Sequence, residues 1–278
     1  MLAPPSPMPC LQRVSLRGAS ALVGLVVAST PVANVARAQD ADGALSGRHT
    51  QYASPQHFEA ELRFAPFTPA IDSDPSLHGA TPYATVFGTS PRILVSAELD
   101  WQVLRFPHFG TLGPGVGIGY TAMSAAALFA SPHGPTQTLI SGETTSLDIF
   151  PFDAVAVLRV DVLWRDVGIP IVPYLKAGFG MSLWRATNTL GTSVYTTGTG
   201  QSVAGEGHSI GTHFAAGVGF NLNVLDEYAA RSWDEAMGVN GTYLFAEWAR
   251  EDLDGLGLQA DPLRVGGTSW NFGLSFEF

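Results

Sequence analysis

The chain has 278 residues, of which 46% are hydrophobic and only 14% charged, with a formal net charge of -10. An acidic balance of this kind repels nucleic acid. The one cysteine, Cys10, lies before the first apolar stretch, so the chain beyond the leader offers no disulfide, thiolate metal site or cysteine nucleophile. No later stretch reaches the roughly 18 uninterrupted apolar residues of a spanning helix, so a membrane span would have to be built from strands.

Arg13 and Arg17 precede the apolar residues 18–28, and Ala36-Arg37-Ala38 offers small residues at the spacing a signal peptidase reads. Residues 1–38 are therefore expected to be a secretory signal peptide, with Met8 an alternative start. Their removal takes away three Arg and no acid, moving the formal charge from -10 to -13. A Gly/Ser/Gln-rich lead follows at 39–55, and residues 56–278 form the main domain.

Alternation of apolar and polar residues, the period of a strand, then recurs along the chain. The first strand, 57–64, sets Phe58, Ala60, Leu62 and Phe64 against Glu59, Glu61 and Arg63. Residues 92–106 set Ile93, Val95, Ala97, Leu99, Trp101 and Val103 against Ser96, Glu98, Asp100 and Gln102. A third strand, 111–124, places Val116, Ile118 and Tyr120 opposite Gly115, Gly117 and Gly119, whose small size suits a narrow lumen. The fourth, 144–164, places Ala156, Leu158, Val160 and Val162 opposite Arg159 and Asp161, with a bulge or edge expected at Pro151. The fifth, 171–187, alternates Leu175, Ala177 and Phe179 with Lys176 and Gly178, and the sixth, 208–224, alternates Phe214, Val218 and Phe220 with Gly217 and Gly219. The seventh, 241–252, is less regular because Tyr243 and Phe245 share a face with Glu247. The eighth carries Trp270, Phe272, Leu274, Phe276 and Phe278 on one face, opposite Asn271, Ser275 and Glu277.

Long and short connections alternate between these strands except at 226–238. There Asp226, a run of helix formers and Gly238 predict a short helix. Short periplasmic turns and long external loops characterise membrane barrels. A soluble barrel would need the Gly-rich, sparsely charged faces to be its solvated surface, for which they are poorly equipped. Trp270 and Phe278 are about 21 Å apart along a strand tilted near 40°, close to the apolar band of about 25 Å on such barrels. The reading is an all-β, eight-stranded antiparallel up-and-down transmembrane barrel with one short periplasmic helix, in the outer membrane of a Gram-negative bacterium.

The segments LRFAPFTPAID at 62–72, GIPIVPYLKAGFG at 168–180 and AARSWDEAMGVNGTYLFAEW at 229–248 resemble an uncharacterised family of myxobacterial-type outer-membrane β-barrel proteins. The resemblance implies the same barrel and address, and brings no catalytic residue or cofactor with it. The terminal Phe278 likewise resembles the C-terminal aromatic that outer-membrane assembly machinery recognises.

Ten charged residues fall on faces expected to point inward: Glu59, Glu61, Arg63, Glu98, Asp100, Arg159, Asp161, Lys176, Glu247 and Glu277. The interior of an eight-stranded barrel is just wide enough for side chains to fill, which favours a plugged, salt-bridged lumen over an open conduit. Acids outnumber bases in this set, so some carboxylates should be protonated, hydrated or ion-bound. Asp72, Asp74 and His78, and separately Asp252, Asp254 and Gly255, are weak candidates for loop cation sites. Ser209, His213 and Glu206 contain the residue types of a hydrolase, but four residues along a strand separate Ser209 from His213 by about 13 Å. The expected role is non-enzymatic, structural or surface-binding, with membrane lipids and the assembly machinery as partners and the external-loop ligand open. A small channel is the first alternative and a lipid-modifying enzyme the second.

Overall fold

The computed structural model describes residues 56–128, 140–196, 200–259 and 262–278. The signal peptide and lead assigned to 1–55 lie outside these.

Eight antiparallel strands form one closed barrel: β1 Phe58–Phe67, β2 Arg92–Trp101, β3 Gly110–Leu128, β4 Ile140–Arg159, β5 Ile171–Asn188, β6 Glu206–Asn221, β7 Gly241–Asp252 and β8 Gly267–Glu277. Each pairs with its neighbours in sequence, and β8 closes the ring on β1 through Leu62 opposite Leu274 and Phe64 opposite Phe272. Closure removes every free edge of the main sheet. At the seam, Phe278 accepts through its carbonyl from the N–H groups of His57 (2.9 Å) and Phe58 (2.8 Å), and donates its own N–H to Phe58.

Alternation sends one face of each strand outward. Phe64, Val95, Ile118, Leu175, Phe179, Phe214, Leu244 and Phe272 are all exposed, Phe179 at 67%. A contiguous exposed surface of this chemistry has no place in water; it suits hydrocarbon. No helix among the described residues is long and apolar enough to cross a membrane. At the end where β1 begins and β8 finishes, Phe58 stacks between Trp101 (6.2 Å) and Phe278 (6.1 Å), an aromatic cluster of the kind that marks a barrel rim.

Several boundaries differ from the sequence expectation. The fourth strand stops at Arg159, and Val162–Arg165 form a short helix, α2 (α1, Pro82–Phe87, lies in the β1–β2 connection), rather than more strand. Pro170 and Gly168 limit the turn, and the chain must reverse before β5 begins at Ile171. Pro151 does not carry a bulge: Ile118 opposite Phe152 and Thr121 opposite Ile149 keep one register across it, and the register shift falls instead between Ala126 and Leu128. The sixth strand ends at Asn221, whose side chain accepts from Asn223 N–H at 2.9 Å and starts a 3-10 turn. The loop after β5 adds a ribbon, Val194–Thr196 against Ser202–Ala204.

The expected helix is present as α3, Glu227–Met237. The Asp226 carboxylate accepts from Tyr228 and Ala229 N–H, at 3.0 and 2.9 Å, satisfying two of the donors a helix start leaves free. Gly238 ends the helix at φ 71°, a left-handed conformation that glycine adopts without strain. Trp233 stacks on the outward ring of Phe276 (6.5 Å), which seats the helix against β8.

At the opposite end the loops fold back over the barrel. Ile71 and Tyr83 from the β1–β2 connection and Leu253 and Val265 from the β7–β8 connection pack with Phe67, Leu94, Met123, Leu147 and Ile149 in one buried apolar cluster. Asp72 fastens this cap by accepting from both Tyr83 N–H (2.7 Å) and Ala84 N–H (2.8 Å), so its carboxylate is spent on the start of a helical turn, Pro82–Phe87, rather than on a loop cation. Burial pushes the Tyr83 phenol above its ordinary range. Asp74 accepts from Ser76 N–H, which holds its carboxyl below the usual range. Asp254 accepts a hydrogen bond from Leu256 N–H. Replacing Asp72 by Ala leaves two backbone donors unmatched and should cost about 1 to 2 kcal/mol. A lower urea midpoint together with faster proteolysis at 70–90 is the expected result; an unchanged cleavage rate would mean that the apolar contacts alone hold the cap.

Candidate functional site: the barrel lumen

Beneath the apolar cap, charged side chains occupy the middle of the lumen. Register alone would make this arrangement repulsive, because Glu59 stands opposite Asp100 and Glu61 opposite Glu98 across β1 and β2. The compensation comes from the far wall. Lys176 on β5, with no exposed surface, reaches Glu61 (2.7 Å), Glu98 (2.6 Å) and Glu247 (3.3 Å) through one ammonium. Arg63 pairs with Glu98, with Glu61 (3.2 Å) and with Glu247 (3.7 Å), while Asn271 donates to Glu247 at 2.8 Å. Strands β1, β2, β5, β7 and β8 are thereby tied together across the interior.

Nearer the α3 end, Arg159 pairs with Glu59 and lies over the Tyr243 ring, 5.0 Å from its centre. Glu277 accepts from Tyr243 Oη (2.9 Å) and Gln102 Nε2 (2.7 Å). The irregularity of the seventh strand has its explanation here: Tyr243, Phe245 and Glu247 all point inward, and the two rings fill the lumen together with Tyr174. Glycines supply the room. A Cβ at Gly217 would lie 2.5 Å from the Tyr174 ring, and one at Gly115 only 2.2 Å from the Asp100 carboxylate.

Nine of the ten charged residues proposed from the sequence are buried in the lumen. Asp161 is the exception, because β4 ends two residues before it. It sits half-buried in the turn at the α3 end, pairing with Arg165 (3.2 Å) and Arg105 (3.7 Å). Asp100 is buried at 2% exposure with neither carboxylate oxygen hydrogen-bonded. It is the kind of acid that the excess of carboxylates foreshadowed. Sequence reasoning passed over Asp153 and Glu251 as lumenal groups. Asp153 shares its face with Val155, Val157 and Arg159, and the alternation, carried back through Pro151, points to it.

Ser209 and His213 do not form a catalytic pair. Ser209 Oγ donates to the Leu263 carbonyl (2.6 Å), His213 Nδ1 lies 3.2 Å from Glu251, and Glu206 pairs with the exposed Arg185. The terminal-strand residues Trp270, Phe272, Leu274 and Phe278 are exposed on the outer surface, and Phe276 is covered in part by Trp233.

No protein-family model and no curated protein sequence matches the chain. Among solved structures it is similar to the outer membrane protein OprG from Pseudomonas aeruginosa (11% identity, 82% of this chain and 98% of that one, TM-score 0.43). It is also similar to Neisserial surface protein A (14% identity, 81% and 96%, TM-score 0.37) and to Ail, the attachment invasion locus protein of Yersinia pestis (11% identity, 80% and 97%, TM-score 0.36). At such identities the likeness concerns the path of the chain and carries nothing about activity.

Lys176 is the only lysine in the sequence, which makes it a reporter of lumen access. An amine-acylating reagent should leave it unmodified in the folded barrel and modify it fully in urea, as read by mass spectrometry of the peptide containing it. Equal reactivity in the two states would mean that water and solutes reach the lumen.

Proposed function

We propose that this chain is an integral outer-membrane barrel of a Gram-negative bacterium, closed to solutes, that anchors external loops in a structural or surface-binding role. The observation that carries this reading is the pairing of an apolar outer surface with an interior occupied from cap to base: apolar cluster, ion-pair network, then aromatic rings. The end bearing α3 faces the periplasm and the end bearing the long connections faces outward, in keeping with the short-turn, long-loop asymmetry of such barrels. Lipid is the partner of the outer surface, and the terminal strand is the segment offered to the assembly machinery.

The channel alternative would require a continuous water path, and the three carboxylates around Lys176 obstruct it. The purified protein, reconstituted into a planar bilayer, should give no sustained open current at moderate voltage. A stable conductance of solute-permeable size would replace this reading with the channel.

A further inference from the structure

We propose that Asp153 on β4, His213 on β6 and Glu251 on β7 form a binding site for a single divalent transition-metal ion of the zinc class, inside the outward half of the barrel. Each residue offers one ligand atom, and these atoms lie within 4.8 Å of one another. One imidazole with two carboxylates is a donor set that suits zinc and its neighbours in the first transition row.

The fold brings these residues together by register. His213 stands directly opposite Glu251 across the β6–β7 ladder. On the other side, β5 separates β6 from β4, and the residues it places between them are glycines: Gly178 opposite His213, and Gly180 opposite Asp153. With no side chains there, the Asp153 carboxylate and the His213 ring face each other over the intervening strand. On β3, a Cβ at Gly117 would lie 2.4 Å from Asp153 Oδ1, so this glycine also keeps the space that the carboxylate occupies.

A second observation points to a ligand. His213 is 3% exposed, and its Nε2 has no hydrogen-bond partner; neither has Asp153 Oδ2. Buried polar atoms are ordinarily satisfied, and an orphan calls for a water or an ion. All three residues line a cavity of about 20 Å³, room for about one water-sized occupant.

Charge favours a cation. Among the described residues Asp153 forms no ion pair, and Glu251 forms one only with His213. Arg63 is the one Arg or Lys lining the cavity, and Glu61, Glu98 and Glu247 already share it. A divalent ion would take one donor from each of the three residues, and would join β4 directly to β6 and β7, across the intervening β5.

The test uses the chain from residue 39 onward, without a histidine tag, refolded in detergent, stripped with chelator and titrated with Co²⁺ and then Zn²⁺. One Co²⁺ per chain is expected, with visible absorption of nitrogen- and oxygen-ligated cobalt that Zn²⁺ abolishes. His213→Gln and Asp153→Asn should each weaken binding by at least about a hundredfold, since loss of an outer-shell group alone costs 10- to 100-fold. His108→Gln, at an exposed histidine beside Asp166, should leave binding unchanged. Absence of saturable binding, or equal affinity in the Asp153 and His213 variants, would overturn the site. Should a variant fail to refold, long-range ¹⁵N–¹H spectra of the wild-type imidazoles decide: Zn²⁺ must shift the His213 nitrogens, and a shift confined to other histidines would place the ion elsewhere.

Discussion

Lys176→Met is expected to destabilise the barrel by about 3 to 5 kcal/mol, the range found when one partner of a buried ion pair is removed. The reason is what stays behind. Glu61, Glu98 and Glu247, each within 3.3 Å of the ammonium, would face one another with Arg63 as their one remaining base among the described residues. Methionine nearly matches the aliphatic stem of lysine in volume, so the loss reports charge rather than a cavity. The check is a urea titration in detergent followed by the mobility difference between folded and heated protein on gels. A second variant separates two explanations. Combining Lys176→Met with Glu98→Gln and Glu61→Gln removes both the cation and two of the carboxylates that it compensates, and should recover most of the lost stability. If the single substitution were neutral, the carboxylates would be hydrated or protonated in the native barrel and the ammonium dispensable.

Deleting Phe278 is expected to do more damage than changing its side chain. The residue contributes a ring to the stack with Phe58, and its backbone supplies three hydrogen bonds at the β1–β8 seam. Phe278→Ala keeps the bonds and loses the ring, a loss of about 1.5 to 3 kcal/mol on the transfer scale. The deletion also leaves the N–H groups of His57 and Phe58 without their acceptor; at about 0.5 to 1.5 kcal/mol for each bond, the deletion should cost roughly 3 kcal/mol or more. Refolding yield and urea midpoint in detergent measure this directly. The proposed role as an assembly signal adds a separate expectation in cells, where either change should lower outer-membrane levels beyond what its refolding loss accounts for. Normal membrane levels of Phe278→Ala would confine the ring to packing.

The barrel and its wall were legible in the sequence because a strand exposes its period of two directly. Within the eight strands the outward faces assigned from alternation, among them Phe58, Val95, Ile118, Leu175, Phe214 and Phe272, lie on the outer surface, and α3 is bounded by the Asp226 and Gly238 signals that announced it. Strand ends were less legible. Val160 and Val162 continue the alternation of β4 although the chain has already turned, since a residue pattern does not say where a hydrogen-bonding partner runs out. Pro151 illustrates the converse: it lacks an N–H, yet β3 and β4 hold their register across it.

What the sequence determined by itself was which side chains enter the lumen; which of them meet there was decided by the closed ring. Lys176 lies 78 residues from Glu98 and 115 from Glu61, and nothing in the local pattern links them. Closure brings β5 across from β1 and β2, and a long ammonium stem spans the interior to two walls whose registers place carboxylate against carboxylate. The convergence of Asp153, His213 and Glu251 is of the same kind, for it depends on Gly178 and Gly180 occupying the strand between β4 and β6. Alternation is a property of neighbours along one strand and can be read one residue at a time. The meeting of charges depends on curvature, register and the space left by glycines on other strands, and these exist only once the sheet has closed.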